Sequence, residues 1–376
     1  MSNALETELH TEVIADSDAV TSTDLAGWDA LAVEAELPFC TPGWMLSWWR
    51  ASRRRGTELR LIVVREGPRV IGVGPFFANP TFGLIEMRLL GAGFSHRIGI
   101  LSEFTSRDRV APEIAGSLAT MRPASIVFEG VDADDPWPEL IVRNWPDRLA
   151  PKQRTDGELQ APVIDLGGDY QQWFSRRERR FRKEAGRLGR RLREEKVSGR
   201  VACDEHAIDS LLGLHYARWA ERGGSNVEHE AGEVLRGAAS SMPDGRLLIA
   251  MLESPQGPVS AELVVCAGSA AAFWGGGFDP EWAQHGPGIQ TMLFALEHLA
   301  EQGTQTADLG GGAHPYKRRL ADEMTTLQWR TVFPRTWRYP LIRLRLAPKH
   351  LRLRARHAAR RLPAGWQRAL RTLLRR

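Results

Sequence analysis

The sequence predicts an α/β protein with mixed sheets, in which two related units pack side by side and a basic helical tail follows. Residues 271–320 read as a strand, a glycine loop, an amphipathic helix, a second strand and another glycine loop. Both halves of the chain run through helices, a β-hairpin, a glycine-broken segment and a short strand that ends near an aspartate. This repeated order favours two units of one architecture.

Composition bounds the class of protein. With 376 residues and 43% hydrophobic content, the chain can form two cored domains, and no apolar run is long enough to cross a bilayer. The first residues show no secretory signal, which predicts a cytoplasmic location. Cys40, Cys203 and Cys266 stand far apart, so we expect reduced thiols, no disulfide framework and no metal site.

The C-terminal tail and the rest of the chain have net charges of opposite sign. Residues 335–376 carry 13 Arg and one Lys without Asp or Glu, so this tail is +14 and the remainder is 4 − 14 = −10. We divide the chain into a disordered segment 1–22, an N-terminal unit 23–160, a C-terminal catalytic unit 161–335 and a basic amphipathic tail 336–376. For the tail, a solvated helix, contact with anionic lipid at the inner membrane face, and nucleic-acid binding are three alternatives.

The N-terminal unit begins with two helical segments. Apolar residues recur at helical spacing from Leu25 to Ala32, and 42–51 gives a short tryptophan-rich helix. Residues 59–78 predict a β-hairpin around Gly67-Pro68, and 124–131 a buried strand. This succession is typical of an α/β unit.

The C-terminal unit opens with a long arginine-rich helix over 170–197. Eleven basic residues between Arg176 and Lys196 stand against four glutamates, which indicates either a salt-bridged solvent face or a groove for an anionic ligand. Helices over 208–222 and 228–242 and three strands over 245–277 follow. They lead directly into the strand and glycine loop of residues 271–288.

The helix that begins at Gly286-Pro287-Gly288 carries the strongest functional signal. Free backbone N–H groups and the positive end of the helix dipole can hold a phosphate there, although glycine and proline also simply end loops. The chain contains no GxxxxGK[ST], GxGxxG, GxSxG or HExxH motif. Group transfer from a phosphate-containing carrier therefore fits better than ATP hydrolysis, Rossmann redox chemistry, serine esterase or zincin chemistry.

The C-terminal half contains a series of short segments in a characteristic order: the arginine-rich helix, Leu214-His215, Arg218-Trp219, 258–262, 277–280, 286–288, Asp308, 310–312 and Tyr316-Lys317. Through these segments, residues 170–320 resemble the GNAT acyltransferase superfamily, in its two-unit branch of cellulose-biosynthesis acetyltransferases related to the FemAB aminoacyltransferases. The pyrophosphate signature of the superfamily is present in reduced form at 284–288. The N-terminal half resembles the same branch more loosely.

The resemblance implies direct acyl transfer from acetyl-CoA or another acyl-CoA. It places the thioester and pyrophosphate on Phe273, Trp274, Gly275, Gly286, Gly288, Ile289 and Gln290. It offers Asp308, Glu262 and His215 as the general base, Tyr316 as the acid, and Lys317 for an acidic partner or anionic substrate. Each of these side chains also has a purely structural interpretation as a cap, a core residue or a solvated charge.

Three functions follow from these observations. The first is an N- or O-acyltransferase of polysaccharide biosynthesis that acts on a small molecule, a sugar-linked acceptor or another cell-envelope precursor. The second is a FemAB-like enzyme that takes an aminoacyl group from tRNA, in which case the basic helix and tail bind RNA. The third is a non-catalytic binding module at the membrane surface.

Overall fold

The structure is a computed structural model that describes residues 8–220, 230–335 and 339–360. The strands are β1 Leu9–Ile14, β2 Glu58–Glu66, β3 Arg69–Thr81, β4 Leu84–Leu89, β5 Leu101–Ser102, β6 Ser125–Asp132, β7 Lys152–Asp165, β8 Ser198–Ala202, β9 Leu247–Ser254, β10 Gly257–Ala267, β11 Ala270–Phe278, β12 Thr306–Asp308 and β13 Glu323–Phe333. The helices are α1 Ser22–Glu34, α2 Pro42–Ser52, α3 Arg107–Thr120, α4 Trp137–Arg143, α5 Tyr170–Ser175, α6 Arg179–Glu194, α7 Glu205–Ala220, α8 Ala231–Ser241, α9 Pro287–Glu301, α10 Pro315–Leu320 and α11 Tyr339–Arg360.

The strands form one mixed sheet. Its order is β1-β2-β3-β4-β6-β13-β7-β12-β11-β10-β9-β8, with short β5 pairing to β3. Helices pack against the sheet and against neighbouring helices. The largest apolar core extends from α1 and α2 to β9 and β10. The predicted mixed α/β class is confirmed.

Each half of the sheet has the same succession of elements. The first half runs β1-α1-α2-β2-β3-β4, then α3-β6-α4-β7, with β5 as an addition, and the second runs β8-α7-α8-β9-β10-β11, then α9-β12-α10-β13. In both halves four antiparallel strands lead to one parallel pair, β4 with β6 and β11 with β12. The two units are therefore related in topology, as the repeated sequence order predicts.

The two units exchange their last strands. β13 lies between β6 and β7, and β7 pairs on its other side with β12. The predicted boundary between residues 160 and 161 falls inside β7, so the repeat covers 9–165 and 198–333, with α5 and α6 between. Backbone pairing between strands so distant in sequence leaves no local signal, which explains the misplaced boundary.

The prediction that residues 1–22 are disordered is wrong for the described part of that segment. Residues 9–14 form β1, which pairs with the outer edge of β2. Ile14 is buried, Arg65 of β2 makes a salt bridge of 3.0 Å with Glu12, and Thr21 and Asp24 form a capping box at the start of α1. Strand pairing and these polar contacts order part of this acidic segment.

The predicted tail is only partly described. α11 packs Ile342 and Leu346 against Ala124 and Phe333 at the end of β13. Residues 336–338 and 361–376 lie outside the described residues, as do 1–7 and 221–229, and so does the predicted helical face around Trp366. Among the described helices, none combines the length and apolar content needed to cross a membrane.

Candidate active site

The two parallel strands at the centre of the C-terminal unit diverge after three residues. β11 pairs with β12 through Ala270 to Ala272. Phe273 and residues 275–278 pair only with β10, and Trp274 is left unpaired where the register of the two strands shifts. A strand edge without a neighbouring strand offers N–H and C=O groups to an extended ligand. A Cβ on Gly275 would meet no atom within 4 Å, so one face of the strand is also open at this residue.

The glycines of β11 have different structural roles. A Cβ on Gly277 would lie 2.2 Å from the backbone nitrogen of His215, because α7 crosses the strand at that point. A Cβ on Gly276 would clash with the Glu262 carboxylate. Close packing by α7 and β10, and not ligand binding, therefore accounts for two of the three glycines.

Gly277→Ala is expected to destabilise the fold by about 3 kcal/mol, because the added methyl meets helix backbone, which cannot move aside as a side chain can. The measurement is the urea unfolding midpoint. Gly275→Ala is the matched control, since its methyl enters open space. Equal stability of the two variants would contradict the close approach of α7 to β11.

The N-terminal end of α9 is held firmly at the open edge. Gly286 adopts φ +60°, the left-handed region that favours glycine, and the helix begins at Pro287. The buried hydroxyl of Thr291 donates to the Pro287 carbonyl over 3.0 Å and contacts the Ser260 hydroxyl of β10. The first-turn amides of Gly288 and Ile289 therefore point out of a fixed helix end.

The arginine-rich helix α6 packs over this helix end. Leu188 of α6 lies 3.0 Å from the position of a Cβ on Gly286, and the Gln290 side chain donates to the Ala185 carbonyl over 3.0 Å. Within the described part of the chain, the one salt bridge of α6 joins Glu184 to Arg319. The expected ladder of i,i+4 ion pairs is not formed, which leaves the exposed arginines of α6 near a candidate phosphate site.

A cavity of about 180 Å³ opens beside the start of α9. It is the meeting point of α7, β10, β11, α9 and α10. Its lining comprises Arg218, Glu262, Phe278, Ala283, Gly286, Pro287, Gly288, Ile289, Met292 and Tyr316. Mostly apolar walls with three ionisable side chains are typical of a small-molecule site.

Glu262 is the most perturbed carboxyl of this cavity. Burial raises its pKa to about 7, while the charges of Arg218 and Lys317 oppose that rise. A carboxyl that titrates near neutral pH can both accept and return a proton under physiological conditions. Of the three residues predicted as a possible base, Glu262 is therefore the candidate whose pKa suits the role best.

Tyr316 lies across the cavity from β10. Burial raises its pKa to about 12, with a further rise from the Glu262 charge, while Arg218 opposes it by charge and by a hydrogen bond. The Arg218 guanidinium also lies 5.0 Å from the centre of the Phe278 ring. Tyr316 is therefore protonated at neutral pH and can donate a proton inside the cavity.

Lys317 faces away from solvent and holds the glycine loop after β12. Its ammonium donates to the Leu309 carbonyl over 2.6 Å and approaches the next two carbonyl oxygens. Burial lowers its pKa, and the charges of Glu262 and Asp308 counteract this. Lys317 thus positions the loop and adds positive charge beside Glu262. The prediction offered Lys317 either to an acidic partner or to an anionic substrate.

His215 lies behind the strand. Its Nδ1 is 3.1 Å from the Gly276 carbonyl, which can only accept, so Nδ1 carries the proton. The residue is buried, and burial lowers its pKa. These contacts make His215 a support for β11.

Asp308 ties the two units together. One carboxylate oxygen accepts from Arg97 Nε over 2.8 Å and the other accepts the Gly310 amide over 2.9 Å. Arg97 also bonds Asp132 at the end of β6 and Thr325 of β13. Burial lowers the pKa of Arg97, but the two carboxylates raise it above its usual value. Both oxygens of Asp308 are engaged, as suits a structural carboxylate.

The structure thus brings part of the predicted set together. Glu262 and Tyr316 line one cavity with Gly286, Gly288 and Ile289, whereas the Gln290 side chain turns to α6. Phe273 is buried in the core, and the Trp274 indole donates to the Phe94 carbonyl of the first unit over 3.0 Å.

Sequence reasoning missed Arg218, Phe278 and Met292 as members of the cavity lining, and Arg97 as the partner of Asp308. The i,i+3 spacing of His215 and Arg218 on α7 was the available signal for Arg218, because such residues share a helix face. In the described ranges, no three His, Cys, Asp or Glu side chains lie together as a metal site.

Comparison with known proteins relates this site to one family model. Residues 179–318, less than half of the chain, match the model described as Acetyltransferase (GNAT) domain. The matched segment contains the cavity, α9 and β12. A search of the curated proteins finds no match.

Solved structures share the whole fold at low sequence identity. FemX is 12% identical with a TM-score of 0.63, over 89% of this chain and 99% of its own. A conserved protein of unknown function from Bacteroides thetaiotaomicron is 10% identical with a TM-score of 0.56, over 86% of this chain and 100% of its own. A third structure is the C-terminal domain of a protein from Agrobacterium fabrum described as a putative lysylphosphatidylglycerol synthetase. It is 10% identical with a TM-score of 0.54, over 88% of this chain and 95% of its own.

Proposed function

We propose that this protein is an acyl-CoA-dependent N- or O-acyltransferase that transfers an acyl group, acetyl in the first instance, directly to a sugar-linked or other cell-envelope acceptor. The observation that carries the proposal is the placement of Glu262, with a pKa of about 7, in a cavity beside the open start of α9. The GNAT domain match supports the reaction class. The acceptor class rests on the resemblance to cellulose-biosynthesis acetyltransferases.

The residues present fit a CoA thioester. The first-turn amides of α9 and the exposed arginines of α6 suit a pyrophosphate, and a Cβ on Gly288 would already contact Phe278 at 3.6 Å. The open edge of β11 after Ala272 suits an extended amide-bearing arm. Glycine at 286 and 288 therefore keeps the approach to the helix end clear.

The chain's own residues can perform the proton transfers. A bound thioester supplies an activated carbonyl carbon. Glu262 takes the proton from the amine or hydroxyl as this group bonds to the carbonyl carbon, and a β11 amide stabilises the oxyanion. Tyr316 donates a proton to the thiolate as the carbon–sulfur bond breaks, and passage of the Glu262 proton to the Tyr316 phenolate restores both residues. Arg218 and Lys317 keep part of the Glu262 population ionised at neutral pH.

Acetyl-CoA is expected to raise the melting temperature of the wild-type chain, because a ligand that binds only the folded state stabilises it by about 2.7 kcal/mol at a hundred times its Kd. Gly288→Glu should abolish most of this shift, since its carboxylate would occupy the helix end and repel phosphate. Thermal denaturation with CoA, acetyl-CoA and longer acyl-CoAs measures both effects.

Gly116→Glu on α3 is the matched control, because a side chain there enters open space in the first unit. It should keep the full shift. A wild-type chain that no acyl-CoA stabilises would contradict the proposed donor. A shift that survives in Gly288→Glu would move the donor site away from α9 without changing the enzyme class.

The fold similarity to FemX favours a second candidate, an aminoacyl-tRNA-dependent transferase. The exposed arginines of α6 would then bind RNA. Salt-sensitive binding of aminoacyl-tRNA that exceeds binding of uncharged tRNA, together with no response to any acyl-CoA, would favour this candidate over the first.

A further inference from the structure

We propose that one end of the first unit is a docking surface for an anionic phospholipid bilayer. It is formed by the outward face of α11, the β3–β4 turn and the loop Arg53–Arg55, and is called the docking surface below. The proposal is independent of the reaction at Glu262, because these elements lie outside the cavity.

The outward face of α11 is apolar although nothing in the described chain covers it. Leu341, Leu344 and Leu351 fall within one quarter of the helix circumference at about 100° per residue. Leu344 is 73% exposed, and the other two are also exposed. Ile342 and Leu346 bury the opposite face, so α11 is apolar on two sides while one is already packed.

A further exposed apolar side chain lies beside this helix. Phe82 occupies the two-residue turn between β3 and β4, with φ +51°, and is 53% exposed. A bulky residue in the left-handed region costs free energy and gains no packing here. The Arg345 guanidinium lies 3.7 Å from the position of a Cβ on the next residue, Gly83, which places α11 against the turn.

Positive charge surrounds these apolar groups. The exposed loop Arg53–Arg55 leads to Gly56, where a Cβ would lie 3.4 Å from Pro80 Cγ near the end of β3. None of these three arginines, nor Arg345, forms a salt bridge with a described residue. The sequence of α11 contains six Arg and one Lys and no acidic residue.

Exposed aliphatic side chains among unpaired arginines match the two components of an anionic bilayer, whose headgroups attract cations and whose acyl chains accept leucine and phenylalanine. RNA would need the arginines but would gain nothing from three exposed leucines, since bases stack on aromatic rings. The chemistry of the docking surface therefore favours lipid over nucleic acid.

The test is co-sedimentation of the full chain with vesicles of phosphatidylcholine alone and of an equimolar mixture of phosphatidylcholine and phosphatidylglycerol. The wild-type chain should bind the mixed vesicles, lose this binding in high salt and ignore the neutral vesicles. Leu344→Glu and Phe82→Ser should each weaken binding about tenfold. Both sites are exposed, and an unchanged melting temperature verifies the fold.

Phe104→Ser is the control, because Phe104 is a more exposed phenylalanine at the opposite end of β3, on the order of 40 Å away along the strand. It should bind like the wild type. Absence of binding to the mixed vesicles would overturn the proposal. Equal binding by Leu344→Glu, Phe82→Ser and Phe104→Ser would also overturn it. RNA that displaces the vesicles and binds Leu344→Glu as well as the wild type would do the same.

Discussion

Glu262→Gln is expected to lower acyl transfer by about 10² to 10³-fold, because it removes the group that accepts the proton of the acceptor. The amide keeps the size of the side chain, so binding of acetyl-CoA should remain. Release of free thiol from acetyl-CoA, with glucosamine as a probe acceptor, measures the rate. In the wild type kcat/KM should rise with pH up to about 7 and then level off, following the Glu262 pKa.

The same substitution has a second readout that needs no acceptor. The folded-state pKa of about 7 exceeds the ordinary value of 4.5, so the folded chain binds a proton more tightly than the unfolded chain between these values. The contribution of Glu262 to the free energy of unfolding is therefore greatest below pH 4.5. Up to about 3 kcal/mol of this contribution is lost as the pH rises through 7. Glu262→Gln should remove this loss.

Unfolding free energies of the wild type and Glu262→Gln at pH 5 and pH 8 test the assignment. The variant should gain relative stability at pH 8. If Glu262→Gln keeps the wild-type pH profile of activity, the base is another residue. If the stabilities of the two chains depend on pH in the same way, Glu262 has its ordinary pKa in the folded chain.

Arg97→Met should be the most destabilising of these substitutions, at about 3 to 5 kcal/mol. It removes the cation that joins Asp132 of the first unit to Asp308 of the second, and it leaves two partly buried carboxylates facing each other. Lowering the pH should recover part of the loss, because protonation of a carboxylate removes the unpaired charge.

Arg69→Met is the matched control for Arg97. Arg69 also contacts two carboxylates, Glu66 and Glu103, but its side chain is 57% exposed, so its loss should cost no more than about 1 kcal/mol. Urea unfolding at pH 5 and pH 7 compares the two variants. Equal effects, or no pH dependence for Arg97→Met, would contradict a coupling role for this ion pair.

Local patterns predicted much of this fold. The glycine-initiated helix α9 and the strands around it follow from apolar periodicity and loop residues, and the repeated order of elements follows from comparing the two halves. Glu262 and Tyr316 were among the predicted site residues, but their neighbourhood was not predictable in detail. A carboxyl becomes a base through burial and neighbouring charges, and the sequence shows neither.

Long-range contacts account for what the sequence did not reveal. The exchange of β7 and β13, and the Arg97–Asp308 pair, join residues far apart in the chain. The edge strand β1 was missed because its acidic, weakly alternating sequence becomes ordered only by pairing with β2. Gly277 belongs to a run that suggests ligand binding, yet its role is the close approach of α7.

Hydrogen–deuterium exchange with and without acetyl-CoA tests the proposed donor site, because it locates the bound donor along the backbone. Slower exchange is expected in peptides that contain the start of α9, at 286–290, and the open edge of β11, at 273–278, with little change in the matching elements of the first unit. Binding of acetyl-CoA that protects other segments and leaves these two unchanged would contradict it.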